Sequence, residues 1–224
     1  MALNRMDGKM KIKWLGAACF LISSNKGLKI ITDPYLSDPN IKHAPVNEYA
    51  DIVTVSHEHS DHNHTQDIQG KPEIIRGPGK HSVKGIEFTG IVSYHDNVSG
   101  TKRGLNTIFC FTVDGVRLCH CGDLGHMLDS NTMKSIGHVD VLLFPTGGPP
   151  QTIDLDEAIM LWDKIKPGVI IPMHFRNTKL TFPHYDVNDL LKLKPQAVQT
   201  GKSEIEFIAG KVPSGQIMIL EPAL

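Results

Sequence analysis

The stretch His57-Glu58-His59-Ser60-Asp61-His62 follows directly on the apolar run Ile52-Val53-Thr54-Val55 and governs how the rest of the chain is read. It places three imidazoles and a carboxylate within six residues, a pattern expected by chance on the order of a few times in a thousand chains of this His and Asp content. In extended backbone alternate side chains share a face, so His57 and His59 point the same way and two ring nitrogens reach one ion. As the chain turns, Asp61 and His62 come to face a second ion nearby. Imidazole with carboxylate suits zinc, manganese or iron rather than calcium. The competing reading is a solvated polar turn, yet such turns are ordinarily built from Gly, Asn or Ser, not from three imidazoles.

Outward from this segment, residues 51–56 read as a buried strand that carries the His cluster at its carboxyl end, where a rigid sheet commonly presents a site. Upstream, residues 11–15, 19–23 and 28–32 form short β-like runs. The turn Asn25-Lys26-Gly27 separates the second from the third, and Asp33-Pro34 ends the last, so the three predict an antiparallel meander. Downstream, strands are expected at about 86–93, 107–113, 116–121 and 139–144, with Asp114-Gly115 as a hairpin turn. Residues 154–166 predict a helix, capped by Asp154 with Glu157 completing the box, its apolar face formed by Leu155, Ala158, Ile159, Trp162 and Ile165. Pro167-Gly168 stops it. The run 169–173 then leads into His174, a short helix is expected at 187–193, and runs 204–208 and 216–220 are expected to close the chain as a hairpin. Strands interleaved with helices predict an α/β chain of two packed sheets with helices outside, although periodicity alone does not choose among α/β layouts.

Two ions need more donors than residues 57–62 hold. His95, Asp123 and His174 each follow an apolar strand-like run, as His57 does, so all four segments can converge on one rim. Asp33 before Pro34 suits a turn former as well as a residue that orients a ligand His. Cys119 and Cys121 read as small buried strand residues, with His120 on the opposite face. His126, three residues past Asp123, is a candidate for orienting a ligand or touching substrate. His43, His64, His81, His138 and His184 read as surface or capping residues.

Composition sets limits on partners. With 23 Lys and Arg against 24 Asp and Glu in 224 residues, no global field favours nucleic acid or an anionic membrane. Length predicts a single domain over residues 1–224. The first residues lack an apolar run of leader length and no stretch approaches a spanning helix, which predicts a cytoplasmic protein. Its four cysteines are expected to be reduced rather than paired.

Taken together, the His-x-His-x-Asp-His segment, the isolated His95, Gly122-Asp123 and Pro172-Met173-His174 resemble the metallo-β-lactamase superfamily. The chain is most similar to its branch of small metal-dependent hydrolases that includes L-ascorbate-6-phosphate lactonase. Trp14-Leu15-Gly16, Thr32-Asp33-Pro34, the Asn106 region, Leu124-Gly125-His126 and Thr146-Gly147-Gly148 extend the likeness over nearly the whole chain. The resemblance implies a four-layer αββα sandwich with two mixed sheets face to face. It also implies two divalent ions, zinc foremost and manganese or iron as substitutes. His57, His59 and His95 would hold one ion and Asp61, His62 and His174 the other, with Asp123 bridging. One departure stands out: many relatives carry His directly after the first Gly of the Trp-Leu-Gly segment, where this chain has Ala17.

The chemistry so implied is hydrolysis of a small ester, lactone or phosphate-bearing substrate by metal-activated hydroxide, with Asp61 and Asp123 as catalytic carboxylates. A bridging Asp123 would set the ions about 3.5–4 Å apart. Five neutral imidazoles and two carboxylates around two dications leave a positive centre, which predicts an anionic or polarised small-molecule substrate. Arg103, Arg176 and Lys179 lie beside the presumed ligands and are candidates for gripping a phosphate or carboxylate, against a plainer role as exposed charges. The competing functions are a phosphodiesterase or nuclease of the same fold and a non-catalytic metal-binding protein. A redox di-iron centre is disfavoured because such relatives generally carry Glu where this chain has His59. No nucleic-acid or membrane partner is expected, and a homo-oligomer is compatible with the sequence.

Overall fold

In the computed structural model, which describes residues 8–224, period-two burial begins at once. The first strand, β1 (Lys9–Gly16), buries Met10, Ile12 and Trp14 while its lysines face outward. Residues 1–7, where the leaderless start was read, lie outside the described residues. The remaining strands are β2 (Cys19–Ser23), β3 (Lys29–Thr32), β4 (Ile52–Val55), β5 (Glu73–Arg76), β6 (Gly79–Val83), β7 (Ile86–Tyr94), β8 (Leu105–Val113), β9 (Val116–His120), β10 (Val141–Pro145), β11 (Val169–Met173), β12 (Val198–Gln199), β13 (Glu204–Ile208) and β14 (Gln216–Ile219). Among the described residues there are three helices: α1 (Ser130–Ile136), α2 (Leu155–Ile165) and α3 (Val187–Leu193).

The strands form a six-stranded sheet in the order β13-β1-β2-β3-β4-β5 and an eight-stranded sheet in the order β12-β14-β11-β10-β9-β8-β7-β6. Both sheets are mixed: β1–β2–β3 are antiparallel as the turns predicted, whereas β4 runs parallel to β3 and β5. Their inner faces meet in one apolar layer, where Phe20 of the first sheet approaches His120 of the second and Phe88 packs on Phe111. On the outer face of the second sheet, Trp162 of α2 packs edge-on against Phe144 of β10. This is the αββα sandwich, with one local variation. The outer apolar face of the first sheet, Leu15, Leu21, Ile31, Val53 and Val55, is covered by Tyr35, Ile41, Val46, Ile68 and Leu180 from irregular segments. No helix among the described residues is long and apolar enough to cross a membrane.

The expected closing hairpin does not form. β13 pairs antiparallel with β1 in the first sheet, and β14 pairs parallel with β11 in the second. β13 forms the edge of the first sheet, and β14 lies between β11 and β12 in the second. Charge selects the first pairing: Lys9 meets Glu206 at 2.9 Å and Lys11 meets Glu204 at 3.0 Å.

This topology also aligns the site. β7 and β9 are each antiparallel to β8, so they share a direction, and β10 and β11 run parallel to β9. The carboxyl ends of β7, β9 and β11 therefore emerge on one rim of the second sheet.

Candidate metal centre

Four strand ends deliver seven polar side chains to that rim. Asp123 is the third residue after β9, while His95 directly follows β7, His174 directly follows β11 and residues 57–62 follow β4. His57, His59 and His95 bring one donor atom each to within 4.8 Å of one another, and so do Asp61, His62, Asp123 and His174. Within the first group His57 Nε2 lies 3.1 Å from His59 Nδ1. In the second, Asp61 Oδ2 lies 3.5 Å from His62 Nε2 and 3.4 Å from His174 Nε2. Asp123 joins the groups: its Oδ2 is 3.3 Å from His62 Nε2, 3.3 Å from His95 Nε2 and 3.6 Å from His174 Nε2.

Most of these separations are long for hydrogen bonds. Ligand atoms set tetrahedrally around an ion with bonds of about 2.0–2.2 Å stand about 3.3–3.6 Å apart, the range into which the Asp61 and Asp123 separations fall. His62 Nε2, His95 Nε2 and Asp123 Oδ1 are buried without a hydrogen-bond partner, a costly arrangement that a shared cation would relieve. The donor set thus fits divalent ions.

Local backbone is shaped to the task. Asp33 and His174 sit at φ 39° and 53°, conformations that side-chain-bearing residues seldom adopt and that cluster at functional sites. Gly122 has φ 53°, and a Cβ there would collide with Asn106 and Ser56, so only glycine lets the chain turn into Asp123. Asn106 then accepts the Asp123 N–H at 3.0 Å and donates to the Cys121 carbonyl. His174 N–H donates to the Ala17 carbonyl at 3.1 Å. Ala17 therefore braces a predicted ligand through its backbone.

A buried network orients the imidazoles. Asp33 accepts from Ser56 N–H at 2.7 Å, Ser56 Oγ–H at 2.5 Å and His62 Nδ1–H at 2.8 Å. With its proton given to Asp33, Ser56 Oγ accepts from His57 Nδ1 at 3.0 Å. Both histidines are thereby held as Nδ1–H tautomers with the Nε2 lone pair turned to the centre. Although Asp33 also lies within reach of His57 and His62 as a third donor group, its oxygens are engaged by these bonds.

Electrostatics agree with a cation site. Burial, reinforced by His62, holds the His57 imidazole well below its ordinary range, and burial with His95 lowers His59. Burial alone would raise the Asp61 and Asp123 carboxyls, but the neighbouring imidazoles hold both well below the ordinary carboxylate range. Burial would lower His62, yet Asp123 and Asp61 hold it well above its usual value.

The other candidates separate clearly. Arg103 Nε lies 3.3 Å from His95 Nδ1, at the centre's edge. Its loop is tied down by Asp96, whose carboxylate accepts from the N–H groups of Val98, Gly100, Lys102 and Arg103. His126 is taken by the backbone on both ring nitrogens, accepting from Tyr94 N–H at 3.1 Å and donating to Met127 O at 2.8 Å. It positions the residue before His95 and has no nitrogen free for substrate. Arg176 is paired with Asp186 at 3.4 Å and Lys179 with the Leu224 carbonyl at 2.7 Å, so neither joins the cluster. His43 is not a surface residue: it is 1% exposed, packs on Gly16 and meets Leu224 O at 2.8 Å. His120 faces the first sheet, 2.9 Å from Ala18 O, and Cys119 and Cys121 are buried free thiols. Ser56 was not legible in advance; a serine before His57 reads as one more strand residue.

Comparison with known proteins agrees with this geometry. Residues 11–174 match the family model described as the Beta-lactamase superfamily domain. A UPF0173 metal-dependent hydrolase of Archaeoglobus fulgidus is 30% identical over 208 residues, covering 78% of this chain and 85% of the relative. Another, from Carboxydothermus hydrogenoformans, is 32% identical over 201 residues, 74% of this chain and 84% of its own. A Thermotoga maritima crystal structure, described as a candidate Zn-dependent hydrolase of the metallo-beta-lactamase superfamily, superposes with a TM-score of 0.78 at 35% identity, covering 95% of this chain and 98% of that one. The chain belongs to the metallo-β-lactamase superfamily. Within it, the chain is a metal-dependent hydrolase.

Proposed function

We propose that this hydrolase acts on a small, anionic or polarised ester, lactone or phosphate-bearing substrate with two divalent ions, zinc foremost, held at the rim. The observation that carries the reading is Asp123, whose Oδ2 lies 3.3–3.6 Å from imidazole nitrogens of both donor groups. His57, His59 and His95 with Asp123 would hold one ion, and Asp61, His62 and His174 with the same carboxylate the other. Five imidazoles with two carboxylates favour zinc, and the Thermotoga relative is described as Zn-dependent.

Bound there, such ions lower the pKa of water towards neutrality and polarise the C=O or P=O under attack. The protein's own groups do the positioning. Asp61, with its side chain 17% exposed against 2% for Asp123, is the more accessible of the two ligand carboxylates and the one suited to orient attacking water. The Arg103 guanidinium borders two clefts beside the centre, where it can pair with a substrate carboxylate or phosphate.

The test is metal analysis of the purified protein followed by hydrolysis assays on lactones, phosphodiesters and sugar phosphates. Turnover of a lactone or phosphate ester that chelation abolishes and zinc restores supports the proposal. Bound metal without turnover of any of them favours a metal-binding protein instead.

A further inference from the structure

The inner faces of β7 and β8 continue past the point where the first sheet covers them. Alternate residues of a strand share a face, so Val92 extends the row of Phe88, and Leu105 extends the row of Phe109 and Phe111. Phe88 and Phe109 are sealed in the core, but Val92 is 48% and Leu105 62% exposed. They lie diagonally across the strand pair and belong to the wall of one cavity of about 370 Å³. Pro78 lines it too, and it meets the metal centre at His57, His59 and Arg103. A molecule seated there has its polar end beside the ligands and the remainder against carbon.

We propose that this cavity binds an apolar acyl or alkyl group of the substrate, which narrows the substrate class to esters or lactones bearing a chain of several carbons. The inference rests on the hydrolytic reading above. Its volume is near the lower end of small-ligand pockets, about 300–1,000 Å³, and so suits a short chain. A sugar phosphate would leave Val92 and Leu105 against water. The cleft on the other side of Arg103 is lined in part by the charged side chains of Asp96, Lys102, Asp154 and Glu157.

The test uses zinc-loaded protein and straight-chain p-nitrophenyl esters from acetate to octanoate, with equilibrium binding of octanoate and acetate as a readout independent of turnover. The kcat/KM is expected to rise with chain length by up to about fourfold per CH2 while the cavity fills. Octanoate should bind at least about tenfold more tightly than acetate. Val92→Asp and Leu105→Asp, each at a solvent-exposed position, should flatten both trends while metal content stays as in the parent. Turnover with no dependence on chain length, or trends unchanged in both variants, overturns the apolar subsite and leaves the hydrolytic reading intact. Chain-length-dependent binding without turnover of any ester supports the subsite and counts against ester hydrolysis. Absence of both overturns both.

Discussion

Asp33 Oδ2 stands 2.8 Å from His62 Nδ1, and the same oxygen receives Ser56 Oγ, which in turn contacts His57 Nδ1. One fully buried carboxylate thus orients an imidazole from each of the two donor groups. Asp33→Asn exchanges an acceptor for an amide in a pocket of donors, leaving at least one buried polar group unpaired at a cost of about 1–3 kcal/mol. Metal affinity should fall about 10–100-fold, the usual effect of losing such an orienting partner. Chelator competition and denaturant unfolding measure the two effects, and unchanged zinc retention would remove Asp33 from the account.

Gly122→Ala tests the turn that presents Asp123. Left-handed backbone with a side chain costs about 1–3 kcal/mol, and here the new methyl group also meets Asn106 and Ser56. Thermal unfolding should shift down by about 2–4 °C per kcal/mol, with metal lost in parallel. A parent-like Tm with full metal content would mean that the tight approach is not needed.

Arg103→Ala should leave metal content at the parent value, since Arg103 approaches the outer nitrogen of His95 and is itself no ligand. Loss of a charge-assisted hydrogen bond worth about 1.5–3 kcal/mol predicts KM for a carboxylate- or phosphate-bearing substrate higher by about 10–100-fold. Equal loss for neutral and anionic substrates would argue against a grip on charge.

The β1–β13 pairing should respond to acid. The hydrogen bond from Lys9, aided by Lys11, holds the Glu206 carboxyl below its ordinary value of 4.5. A lowered folded value means that the pairing stabilises fully above pH 4.5 and weakens as pH falls through the lowered value. Protection factors for β13 amides, compared at pH 6 and pH 3, should drop in the parent and drop less in Glu206→Gln, where the Lys11–Glu204 pair remains. The groups are exposed, so the change is local and diminishes with salt.

The parts legible in the sequence were those with short-range causes. Residues 57–62 carry their chemistry within a single turn, and α2 has its cap and its apolar face written locally. β5 and β6 escaped notice because they are four- and five-residue strands with little burial and so no clear alternation. α1 escaped because only Ile136 is buried. The partners of β13 and β14 depend on sheet edges roughly 200 and 50 residues away in the chain, which no local pattern encodes. His43 belongs to the same class, since contact with Gly16 and Leu224 buries it. Asp33 sat before a proline and suited a turn equally well; only its meeting with Ser56 and His62 distinguishes an orienting residue from a turn former.

The most direct measurement is the number of metal ions per chain, by elemental analysis of folded parent protein and of Asp123→Asn. A carboxylate shared by both donor groups predicts about two ions in the parent and loss of at least one in the variant, with circular dichroism unchanged. A parent that binds no more than one ion under saturating zinc, or a variant that keeps both, would contradict the shared centre.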